Sequence, residues 1–94
     1  MGVFIVLSNL TVEGRASIKK HPKRILEVNK ELEKIGIKVL EQYALLGPYD
    51  FMSIVEAHDP EQMMNMSVNL GARGTVTMMS LAAVPIQTFI KNIK

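Results

Sequence analysis

Cysteine and tryptophan are absent from the 94 residues. The missing thiols exclude disulfides, thiolate nucleophiles and zinc–cysteine centres. Histidine is scarce: His21 and His58 are too far apart in sequence to act as a helical pair of ligands, so neither a metal nor another cofactor is expected. No apolar run approaches the ~18 residues that a membrane span requires. The opening GVFIVL lacks a charged flank and a small-residue cleavage site, and the expectation is a soluble, cytoplasmic protein.

A strong charge of one sign is missing too. The formal net charge is +2, and most lysines are scattered as on a solvated surface. The basic excess is local, because Arg15 to Arg24 holds Lys19, Lys20, His21 and Lys23 without an acid among them.

What is present is apolar residue, 48% of the chain, in a length that makes one domain, residues 1–94. A monomer of this size buries only about 60–65% of its unfolded surface. Gly2 to Leu10 is β-branched and aliphatic, which predicts a strand. Pro22 opens a helix with Ile25, Asn29, Leu32 and Ile35 at helical spacing, and Gly36 stops it. A hairpin follows, from Ile37 to Leu46 and from Asp50 to His58, around Gly47-Pro48. Asp59-Pro60-Glu61-Gln62 reads as an N-cap, an N1 proline and a capping-box glutamine, starting a helix that carries Met63, Met66 and Leu70 to Gly71. Thr75 to Val84 is the last strand, and Pro85 starts a tail helix.

The order predicts an α+β, ferredoxin-like βαββαβ fold with a C-terminal helix and an antiparallel four-stranded sheet, strand order 4-1-3-2. Val3 to Leu7 and Met78 to Val84 are apolar at nearly every position, so both sheet faces need cover. Helices cover one. A second copy of the chain is the economical cover for the other, which predicts a homodimer through the sheet face. Lys38, Glu41 and Gln42 suit a polar edge strand.

In that topology three segments meet at one end of the sheet: Ser8 to His21, Gly47 to Asp50, and Gly71 to Thr75. They define a candidate site. Asp50 and Tyr49 are the candidate catalytic groups, the carboxylate as a base or cation-binding group and the phenol as a hydrogen-bond donor. Ser8, Asn9, Arg15, Lys19, His21 and Arg73 are candidate ligand-binding residues. His21 with Asp50 would form an acid–base pair, and the basic stretch beside a helix start would favour an anion. The plainer role for Asp50 is to accept backbone N–H groups and fix the corner. Gly71-Ala72-Arg73-Gly74 matches the GxxG loop of KH domains, but it leads into a strand and is set aside.

Gly47-Pro48-Tyr49-Asp50 resembles the G-x-Y-D signature of the GYD domain family. Asn9-Leu10-Thr11, Gly14, Pro22-Lys23-Arg24, Gly71, Gly74 and Val76-Thr77 extend the resemblance along nearly the whole chain. Membership implies the dimeric α/β-barrel superfamily and a dimer through sheet faces, with no settled activity. The leading expectation is then a homodimer holding a small organic or anionic ligand between sheet and helices, as a sensor or a cofactor-free enzyme. Two alternatives stand beside it. One is an RNA-recognition-like domain, with Phe4 and Phe51 in partial mimicry of its aromatic strands, disfavoured because a dimer would occupy the sheet face. The other is a structural or regulatory subunit that binds another protein and carries an apolar patch on the tail helix.

Overall fold

The computed structural model describes residues 2–93. Strand β1 (Gly2–Leu10) is followed by helices α1 (Val12–Lys20) and α2 (Arg24–Lys34). The hairpin β2 (Lys38–Ala44) and β3 (Phe51–Ala57), helix α3 (Pro60–Gly71), strand β4 (Val76–Ala83) and helix α4 (Ile86–Asn92) complete the chain. All strand pairs are antiparallel in the order β2-β3-β1-β4, the ferredoxin-like arrangement expected from the sequence. Among the described residues, no helix is long and apolar enough to cross a membrane.

Helix α1 is the departure from that expectation. Its sequence, VEGRASIKK, turns little apolar surface inward, so periodicity does not announce it. It forms because Thr11 caps it, the Thr11 hydroxyl accepting the Gly14 N–H at 3.1 Å. Gly14 also lets it pack tightly: a Cβ there would lie 2.0 Å from the Thr75 carbonyl oxygen. Two consequences follow for the basic stretch. His21 is the C-cap of α1 and not the residue before α2, and Lys19 and Lys20 sit in the last turn of α1, where the helix dipole favours cations.

Helix α3 starts at the expected Asp59 cap, with Gln62 reaching one residue past the cap to His58 rather than to the Asp59 N–H. The Asp59 carboxylate accepts the Gln62 N–H at 2.9 Å, and the Gln62 side-chain oxygen accepts the His58 N–H at 2.7 Å. The Gln62 amide also donates to the Ile35 carbonyl at 2.6 Å, tying the end of α2 to the start of α3. At the other end of α3 the left-handed glycine is Gly74 (φ 78°), while Gly71 is the last helical residue.

The core lies between these helices and one sheet face. Phe4, Val6, Val55 and Ala57 point into it and meet Leu32, Met63, Met66 and Leu70. Burial of each large side chain contributes roughly 1.5–3 kcal/mol. The opposite face carries Ile5, Leu7, Met52, Ile54, Met79 and Leu81 in adjacent registers, and among the described residues no helix packs extensively on it. Met79 and Leu81 remain 47% and 44% exposed. Helix α4 runs free of the core, with Ile86, Phe89 and Ile90 each more than half exposed.

Candidate functional site

The three expected segments do meet. The Asp50 N–H donates to the Ser8 carbonyl at 2.9 Å and to the Asn9 side-chain oxygen at 3.0 Å, while Asp50 Oδ2 accepts the Leu10 N–H at 2.9 Å. The Thr11 N–H donates to the Thr75 carbonyl, and the Thr11 hydroxyl to the Gly74 carbonyl at 2.7 Å. Asp50 therefore joins the end of β1 to the start of β3, and its carboxylate accepts from Leu10 on β1 rather than from the corner itself. Arg15 approaches Asp50 Oδ2 only to 3.9 Å and is largely exposed.

His21 does not pair with Asp50. Its Nε2 lies 2.7 Å from Glu27 Oε2, because the C-cap of α1 faces the first turn of α2. Of the basic stretch, His21 and Arg24 thus have carboxylate partners within the chain. Glu27 also accepts from Arg24 at 3.2 Å, and Arg24 reaches Glu31 Oε1 at 3.3 Å. Arg73 donates to Glu31 Oε2 at 2.6 Å and joins the turn after α3 to α2. The His21 and Arg24 partners hold the Glu27 carboxyl below the usual carboxylate range. Arg73 does the same for Glu31.

A cavity of about 270 Å³ opens between the sheet and α1, α2 and α3. Of the sequence-derived candidates, Ser8 and Arg73 line it. Tyr49, Asp50, Asn9, Arg15, Lys19 and His21 do not. Among the further polar side chains that do, Asn29 donates its amide to Gln42 Oε1 at 2.7 Å, and the Gln42 amide donates to the Ser53 hydroxyl at 3.1 Å. Asn29 carried a signal in the sequence, as a polar residue on an otherwise apolar helical stripe. Gln42 did not. A bulge between Val39 and Glu41 reverses the alternation of β2, so Gln42 turns inward and Tyr43 outward. Gln42 belongs to the cavity and not to the polar dressing of an edge strand. Among the described residues, no group of three or more His, Asp and Glu side chains could hold a metal ion.

Phe4 and Phe51 also face the helices, Phe4 in the core and Phe51 on the cavity wall. The sheet surface on which RNA-recognition domains stack bases therefore displays aliphatic and methionine side chains in their place. The mimicry of the aromatic strands is in sequence only.

A ferredoxin-like sheet with a cavity under its helices and an apolar face on its other side defines a small α+β protein. Its family is explicit. The family model described as GYD domain matches residues 4–93, and the chain belongs to that family. It is 46% identical over 95 residues, spanning all of both chains, to the Thermus thermophilus protein named "Glutamine synthetase and cystathionine beta-lyase binding protein". Among solved structures, the crystal structure of MtbAldR is similar with a TM-score of 0.66 and 24% identity, over 89% of this chain and 52% of the other. The chain thus spans about half the length of MtbAldR, and that likeness is one of fold.

Proposed function

We propose that this chain is a homodimeric regulatory module that holds a small organic ligand beneath its helices and binds a metabolic enzyme through the assembled dimer. The carrying observation is the asymmetry of the sheet, one face enclosing a cavity and the other an uncovered row of Ile5, Leu7, Met52, Ile54, Met79 and Leu81. Two copies placed sheet to sheet bury both rows and close an α/β barrel. They leave both cavities on the outside, under their own helices, open to solutes. The exposed stripe of α4 adds apolar surface for a neighbouring protein. The name of the Thermus relative supports an enzyme as that neighbour, with glutamine synthetase and cystathionine beta-lyase as the first two to try.

Light scattering coupled to gel filtration tests the assembly: twice the 10.5 kDa chain mass is expected for the wild type, and the single chain mass for Ile54→Asp. A stable wild-type protomer at micromolar concentration would overturn the dimer. Titration of each purified enzyme, followed by interferometry, tests the partner. Binding that survives in the wild type and is lost in Ile54→Asp supports docking of the dimer, and no binding to either enzyme removes that part of the reading.

A further inference from the structure

The cavity has a chemical bias beyond its volume. Among the described residues, no Asp, Glu, Lys or His lines it, and its charged walls are Arg24 and Arg73, whose side chains are 38% and 40% exposed and so stand at its mouth. Deeper in, the Asn29–Gln42 amide pair and the Ser53 hydroxyl form one polar cluster in an otherwise largely apolar wall. An amine would meet two guanidiniums, and the acids that pair with them, Glu27 and Glu31, do not themselves line the cavity. A carboxylate would meet partners already arranged for it, because Glu31 bridges the two arginines with one oxygen on each, Oε1 on Arg24 and Oε2 on Arg73. Each guanidinium uses one of its terminal nitrogens in this network and keeps further N–H donors, so a second carboxylate can share or replace Glu31.

Resting on the reading of this cavity as a ligand site, we infer that it takes a small monocarboxylic acid with an apolar body. The carboxylate of the ligand sits between Arg24 and Arg73 in place of Glu31. Its body lies against Val28, Leu32, Val55 and Met66, and any carbonyl or hydroxyl on it reaches the Asn29–Gln42–Ser53 cluster. A cavity of about 270 Å³ suits a short branched or cyclic acid.

The test uses three matched probes, 4-methylpentanoate, its primary amide and the corresponding primary amine, titrated into the full chain. Calorimetry gives affinity, and the side-chain amide resonances of Asn29 and Gln42 report the place. The acid is expected to bind about tenfold or more tightly than the amide, the worth of a charge-assisted pair, and the amine not at all. Glu31→Gln, which removes the internal competitor, is expected to tighten the acid several-fold, and Arg73→Met to reduce it to the level of the amide. Thermal melts of both variants establish that they fold. Equal binding of acid and amide, or binding of the amine, overturns the assignment of a carboxylate while leaving a ligand cavity in place. If none of the three moves the Asn29 and Gln42 resonances at millimolar concentration, both the assignment and the reading of the cavity fall.

Discussion

Alternate residues of one strand have opposite environments. Phe4, Val6 and Ser8 of β1 point toward the helices, the first two 6% exposed each, while Ile5 and Leu7 between them lie on the uncovered face. Hydrophobicity does not distinguish Phe4 and Val6 from Ile5 and Leu7, since all four are apolar. Only the helices do, and they crowd one side because α1, α2 and α3 all cross over the same face. A residue's hydrophobicity thus states that it needs a neighbour without saying whether that neighbour belongs to the same chain.

Neighbouring residues of β3 make the sharpest test of that contrast. Val55 is 2% exposed in the core, and Val55→Asp places a carboxylate among Phe4, Leu32 and Met66. Desolvation without a partner costs several kcal/mol, and circular dichroism should show an unfolded chain at 25 °C. Ile54→Asp, one residue earlier on the other face, should keep its far-ultraviolet spectrum and change only the mass in solution.

The next effect probes how the helices reach the covered face. Gly14→Ala puts a methyl group 2.0 Å from the Thr75 oxygen, and α1 must lift from the start of β4. A loss of about 1–3 kcal/mol is expected, read as a lower midpoint in urea. Asp50→Ala comes after it. The Leu10 N–H loses its acceptor at a half-buried site, which costs ~1–2 kcal/mol. Asp50→Asn should restore most of this, because an amide oxygen still accepts.

The smallest effect concerns the mouth of the cavity. Glu27 and Glu31 have carboxyls lowered from 4.5 in the folded chain, so the unfolded chain takes up their protons first as pH falls. Their contribution to stability is present above about pH 4.5 and disappears as pH drops through the lowered folded values. Both groups are half exposed and screened by solvent, so the fall is shallow. The melting temperature between pH 7 and pH 3 should decline less steeply in Glu31→Gln than in the wild type.

Much of the architecture was legible in local chemistry. The Asp59 cap, the Gly47-Pro48 corner and the two apolar strands each act over a few residues, so strand order and the α3 start could be read directly. The meeting of Asp50 with Ser8 to Leu10 followed from topology alone. Helix α1 was hidden because its stability comes from a capping threonine and a glycine pressed against Thr75, 61 residues away, rather than from an apolar stripe. His21 was legible as a polar group beside a proline, and its partner Glu27 became visible only when α1 and α2 were seen as separate helices.

The residues alone determined that this chain forms a ferredoxin-like sheet with more apolar surface than its helices can cover, since alternation, caps and turn residues operate at short range. The tertiary structure decided which polar groups share a cavity. Asn29, Gln42 and Ser53 lie on three different elements, and a single bulge in β2 sets the face of Gln42. A one-residue change of register reverses every side chain beyond it, and it becomes visible only when the strand is paired with its neighbour.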